Sequence, residues 1–221
     1  MKLELTQMIK LKKVIEEYPS WKVLSYYIDR VEAHIEIDFS HSLENAKAIL
    51  ETIGKEVCIK NSVELGAKPS VNSVVGKCFS SMGFSNKNMA QQIARSLSTI
   101  AQHIGDLRND IGPTAHGKTL EEIKDRNSKV DELTREFLID TVETVCIFII
   151  RNYESKKEKK ATEQLEDTLD YWEADDFNDF WDDSFGEFKM GDYSYPASEI
   201  LFNVDKQVYV NEYKAYTETE E

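Results

Sequence analysis

Between Leu3 and Tyr153 the apolar residues return every three or four positions, and strand-like alternation is absent before residue 154. That spacing is the period of an amphipathic helix. A chain patterned this way buries its stripes by packing helix on helix, so the body is expected to be all-α. Leu5, Met8, Ile9, Leu11, Val14 and Ile15 mark a first helix, which Pro19 ends. Val23, Leu24, Tyr27, Ile28, Val31 and Ile35 mark a second from Trp21 to Glu36, with Lys22, Asp29, Arg30 and Glu32 outward. Ser40 or Ser42 is the expected cap of a third helix, Leu43 to Ile59, whose core stripe is Leu43, Ala46, Ile49, Leu50, Ile53 and Val57. A loop over 61–70 leads to a short helix, Val71 to Met82. Next comes a long one from about Lys87 to Arg108, with Met89, Ile93, Leu97, Ile100, Ile104 and Leu107 inward. The last, from about Ser128 to Tyr153, is the most apolar. Leu133, Phe137, Leu138, Thr141, Val145, Phe148 and Ile149 are its expected inner face, packed against the Arg108 helix.

The composition shifts at Glu154-Ser155-Lys156-Lys157-Glu158-Lys159-Lys160. This divides the chain into a helical bundle over 1–154, a charged linker over 155–187 and a small appendage over 188–221. Between Ala161 and Glu187 there are 11 acids and no base, interleaved with Tyr171, Trp172, Phe177, Phe180, Trp181 and Phe185. The segment reads either as a plain linker or as one that docks its aromatics on the body of the chain or on a partner, because plain acidic linkers lack aromatics. In the appendage, Phe188, Met190, Tyr193 and Tyr195 flank Gly191-Asp192, a two-residue hairpin signal. Short helices follow from Pro196, with Ser198 near the cap, and from Val208 to Tyr216. A unit that small holds little core of its own, so it is expected to pack on the bundle or on a second subunit. The fold class is mainly α: a helical bundle with an acidic linker and a small C-terminal α+β appendage.

The net charge of −14 belongs to the tail. Residues 1–150 carry 19 Lys+Arg against 21 Asp+Glu, and residues 151–221 carry 8 against 20, nets of −2 and −12. A near-neutral body can still hold a local positive patch for a phosphate. No stretch approaches the roughly 18 apolar residues of a membrane span, and the N-terminus lacks a signal peptide's regions. Cys58, Cys78 and Cys146 cannot all pair and have no metal-ligand spacing, so they read as buried thiols in a reducing cytoplasm. There is no phosphate-cradling glycine loop, no His-x-x-x-His or Cys-x-x-Cys, and no nucleophile elbow. No metal and no cofactor is expected.

One stretch carries chemistry: Ile104-Gly-Asp-Leu-Arg-Asn-Asp-Ile-Gly-Pro-Thr-Ala-His-Gly-Lys118. Arg108 and Asn109 close the long helix, Gly112-Pro113 break it, and His116 lies just beyond, before Gly117 and Lys118. Arginine keeps its proton and presents a planar fork to a phosphate. Histidine moves protons near neutral pH. The pair suffices to cleave RNA without a metal, since RNA brings its own nucleophile. His34, His41 and His103 sit in no such constellation and read as structural.

The wording Leu107-Arg108-Asn109, then a glycine, then His116-Gly117-Lys118 resembles the signature of the abortive-infection C-terminal family, part of the HEPN superfamily of helical ribonuclease domains. Asn45-Ala46-Lys47-Ala48-Ile49-Leu50-Glu51-Thr52-Ile53-Gly54-Lys55 is similar to another helix of that family, so the resemblance spans roughly Asp38 to Tyr153. The spacing of Arg108 to His116 is one residue longer than the superfamily's usual, and the extra residue falls in Gly112-Pro113-Thr114-Ala115. The resemblance implies a metal-independent endoribonuclease acting in phage defence or as a toxin. His116 would be the general acid or base and Arg108 the stabiliser of phosphorane charge. Asn109, Gly112, Gly117 and Lys118 would support them. The implied partners are an RNA substrate, a second copy in a homodimer, and an antitoxin or other defence protein. The alternative is a catalytically inactive helical interaction or immunity module whose acidic tail binds a partner.

Overall fold

A computed structural model describes residues 8–83, residues 88, 92, 95, 96, 99, 100, 102, 103 and 106, and residues 130–220. Its described residues form eight α-helices and one two-stranded sheet. They fall into two compact units that meet between Glu154 and Ser155.

In the first unit, α1 (Ile9–Glu17) is followed by a 3-10 helix (Pro19–Leu24) and α2 (Ser25–His34). Proline suits a first helical position because its missing N–H has no intrahelical partner there. Pro19 therefore ends one helix and starts the next. The tighter 3-10 turn changes the phase of the stripe: Trp21 and Leu24 are buried, whereas Val23, expected inward, is 72% exposed. α3 (Phe39–Lys60) packs on α2 and on α4 (Val71–Ser81). All six stripe residues expected of α3 are buried. Its cap is neither Ser40 nor Ser42 but Asp38, whose side chain accepts from the His41 amide. Ser42 instead donates its hydroxyl to the carbonyl of Val31 at 2.9 Å, stitching α3 to α2. Gly54 lets α3 approach α4, since a Cβ built there would stand 2.8 Å from Val74 Cγ1.

The last helix of the bundle, α5 (Glu132–Thr168), does not stop at Tyr153 but runs on through Ser155–Lys160. Lysine and glutamate are good helix formers, so a change in composition there does not require a break. Its buried face is Ile139, Val142, Val145, Cys146, Ile149 and Ile150. Leu133 and Phe137, expected on that face, are exposed. Phe148 lies at its edge, stacked on Phe79 at 5.7 Å.

The second unit contains a 3-10 turn (Tyr171–Glu173), α6 (Asp175–Phe185), β1 (Glu187–Met190), β2 (Tyr193–Pro196), α7 (Ala197–Val204) and α8 (Lys206–Glu220). Its core is Leu169, Ala174, Phe177, Tyr209 and Val210, with Leu165, Tyr171, Trp181, Leu201, Phe202, Tyr213 and Tyr216 packed around it. Phe177 is expected in a linker and Tyr209 in an appendage, yet their rings meet edge to face at 5.1 Å. Tyr209 donates its hydroxyl to Asn178, and Asn178 donates its amide to the Tyr171 carbonyl at 2.8 Å. Ser198 does not cap α7 with its own side chain. Asp182 of α6 accepts the Ser198 amide at 2.7 Å and its hydroxyl at 2.9 Å. The strands pair antiparallel around Gly191-Asp192, and Gly191 supplies the positive φ, 66°, that a II′ turn needs at its first central position.

Candidate functional site

Arg108 and His116, and Asn109, Gly112, Gly117 and Lys118 beside them, lie outside the described residues. The structure defines the frame that this stretch leaves and rejoins. α4 closes at Met82, and Gly83 turns the chain with φ 56°. The described chain resumes at Val130, which is buried, and at Asp131, which accepts the amide of Thr134 at 2.9 Å and its hydroxyl at 2.6 Å. These bonds favour the carboxylate and hold the Asp131 carboxyl below its usual range. In the intervening stretch, Ile100 packs against the bundle core and His103 is exposed.

The other histidines form a local pair. His34, at the end of α2, and His41, in the first turn of α3, stack with ring centroids 5.6 Å apart. His34 Nδ1 is 2.9 Å from the Arg30 carbonyl, and His41 Nδ1 is 3.0 Å from Asp38 Oδ2. An imidazole nitrogen facing a carbonyl carries the proton, so each ring is tethered to its own helix end. Among the described residues, no group of three His, Cys, Asp or Glu side chains is placed to hold a metal. The cysteines are equally inert. Burial pushes the Cys78 thiol up to about 12 and raises Cys58 and Cys146 as well, so all three stay protonated at neutral pH.

Two polar residues of the bundle escape sequence reasoning. Glu143 and Glu154 are both buried on α5, three turns apart on one face. Glu143 Oε1 accepts the Leu11 amide at 3.0 Å, completing the start of α1, whose own N-cap residue contributes no side-chain bond. Glu154 Oε1 accepts the indole N–H of Trp21 at 2.7 Å and the Ser20 hydroxyl at 3.2 Å. Acids interrupting the apolar run at an 11-residue interval are the one signal that could have found them. They fasten the N-terminal helices to the frame.

A family model described as a HEPN-like domain, Abi_C, matches residues 21–153, more than half of the chain. The chain belongs to the Abi_C family. No curated protein and no solved structure matches it. The match begins at Trp21 and ends at Tyr153, and these two rings meet edge to face at 6.0 Å, so the first and last side chains of the Abi_C domain close on each other. The expectation of a HEPN-like helical bundle holds. α1 precedes the Abi_C match and the second unit follows it. No described helix is long and apolar enough to cross a membrane.

Proposed function

We propose that this Abi_C protein is a metal-independent endoribonuclease serving as an abortive-infection or toxin effector. The observation that carries the reading is the HEPN-like family match across the very segment that holds Arg108, Asn109, His116, Gly117 and Lys118. His116 removes the proton of the ribose 2′-OH or supplies one to the leaving 5′-oxygen. Arg108 stabilises the charge that develops on the phosphorane oxygens. Asn109 orients His116 or a phosphate oxygen, Lys118 adds charge, and Gly112 and Gly117 let the backbone turn close to the strand. The products are a 2′,3′-cyclic phosphate and a 5′-OH. One Arg-His pair makes a narrow site, and a homodimer that brings two pairs to a shared cleft completes it.

The test is cleavage of total RNA in EDTA by the purified protein, with end-group analysis and light scattering. Cleavage is expected without metal, from a dimer, and is lost in both His116→Ala and Arg108→Ala while helical content is kept. Activity that needs Mg²⁺, or that survives His116→Ala, overturns the mechanism. An active monomer overturns the shared cleft. A second reading, a non-catalytic interaction module, is favoured by one observation: the second unit carries an uncovered aromatic surface.

A further inference from the structure

That surface is the hairpin. Directly paired residues of an antiparallel ladder share a face. The register pairs Phe188 with Tyr195 and Met190 with Tyr193, so these four form one face of the sheet; Glu187, Lys189, Ser194 and Pro196 form the other. The first face is open, with Phe188 59%, Met190 60%, Tyr193 68% and Tyr195 38% exposed. The second is largely exposed too but mostly polar, with Ser194 donating to Glu187 at 2.6 Å. A two-stranded hairpin is marginal in water by itself, and aromatic residues are enriched where surfaces are buried by a partner.

The backbone is open as well. In a hairpin with a two-residue loop, the pair next to the turn, Met190 and Tyr193, is hydrogen-bonded, and such pairs alternate along the ladder. Glu187 and Lys189 therefore direct their N–H and C=O groups away from β2. The two outward positions on β2 are Ser194 and Pro196, and Pro196 has no N–H, so β1, with both outward donors, is the better edge for another strand. The charge around it selects what approaches. The unit that carries it, Ser155 to Glu221, holds 19 acids against 7 bases. A nucleic acid is repelled by that field, and so is a second copy bearing the same charge.

We propose that this hairpin docks a cationic, extended polypeptide segment of a protein partner. The segment lies along β1 as a third strand, with its apolar side chains on the Phe188–Met190–Tyr193–Tyr195 face and its basic ones in the surrounding acidic field. This mode gives affinity through main-chain bonds and specificity through alternate side chains. It does not depend on RNA cleavage by the bundle, and the assay for one leaves the other untouched.

The experiment measures fluorescence anisotropy of labelled peptides on the full-length protein. One alternates lysine with valine and the other glutamate with valine; a labelled single-stranded RNA is the third probe. The lysine peptide is expected to bind at least about tenfold more tightly than the glutamate peptide, and less tightly as salt rises. Two variants each weaken it by about tenfold: Phe188→Ser with Tyr193→Ser, which removes the aromatic face, and Lys189→Pro, which removes an outward donor without touching the ladder. Amide exchange on the unmodified chain reads the same event, with the Glu187 and Lys189 amides slowing when the lysine peptide is added. Equal binding of the two peptides, undiminished binding in both variants, or no slowing at those amides overturns the proposal. So does RNA binding, or concentration-dependent self-association, that is lost with Phe188→Ser and Tyr193→Ser.

Discussion

Trp21 and Glu154 are hydrogen-bonded at 2.7 Å across 133 residues of sequence, the indole donating and the buried carboxylate accepting. The bond ties the 3-10 helix that opens the Abi_C match to the helix that closes it. Trp21→Phe keeps an aromatic ring and removes the donor. It is expected to cost about 1–3 kcal/mol, because a buried acceptor loses a strong partner. Glu154→Gln should cost less, since the amide oxygen still accepts. Urea unfolding followed by circular dichroism measures both, and a Trp21→Phe midpoint equal to the parent's means that the ring acts by packing alone.

Gly54 and Val74 set the spacing of α3 and α4. In an exposed helix, glycine to alanine is stabilising by roughly 1 kcal/mol. Here the new methyl meets Val74 Cγ1 at 2.8 Å, and Val74 is fully buried on a helix, where a β-branched side chain has one favoured rotamer. Gly54→Ala is therefore expected to destabilise by about 1–3 kcal/mol, and Gly54→Ala with Val74→Ala to recover part of the loss. Additive losses in that double variant would show that the two positions are not in contact.

The buried thiols predict a pH dependence. Cys58, Cys78 and Cys146 each have a folded pKa raised above the ordinary 9.0. The unfolded chain releases these protons first, so above pH 9 deprotonation favours unfolding. The stability they preserve is present in full below 9 and falls as pH rises toward the folded value, about 12 for Cys78. Chemical denaturation at pH 8 and pH 10 should show a loss that shrinks in Cys78→Ala. In the native protein at pH 8, a thiol reagent should label none of the three, and in urea all three.

The acids of 161–187 carry a separate prediction. Deleting the segment removes Phe177 from the core of the second unit, so deletion tests folding and charge together. Asp176, Asp179 and Asp183 are exposed on α6, while Asp182 is engaged by Ser198. Replacing the first three with asparagine is expected to raise RNA affinity if this charge acts as a brake on the Abi_C domain. The gain should shrink as salt shortens the screening length from about 8 Å. Unchanged affinity in a folded variant removes the brake.

The helical period located the bundle because burial repeats locally: Leu43 to Val57 lie on one side of α3 whatever covers them. Gly191-Asp192 announced the hairpin for the same reason, since a turn is decided by its own residues. Three features resisted such reading. The phase of α5 depends on its neighbours, so Leu133 and Phe137 were placed inward although the structure exposes them. Its continuation past Glu154 was hidden by a charged run that reads as a boundary. The caps of α1 and α7 come from Glu143 and Asp182, carboxylates contributed by other helices, and no local pattern marks them. Arg108 and His116 were legible as wording alone.

The Leu11–Glu143 bond spans 132 residues, and this bears on how the chain is made. At the usual pace of synthesis, about 5–20 residues per second, the acceptor is polymerised on the order of ten seconds after the amide that needs it. A helix of nine residues is too short to persist unaided in water. The N-terminal segment of the nascent polypeptide can pack early on the 3-10 helix and α2 that follow it, but its Leu11 amide waits for an acceptor until α5 emerges.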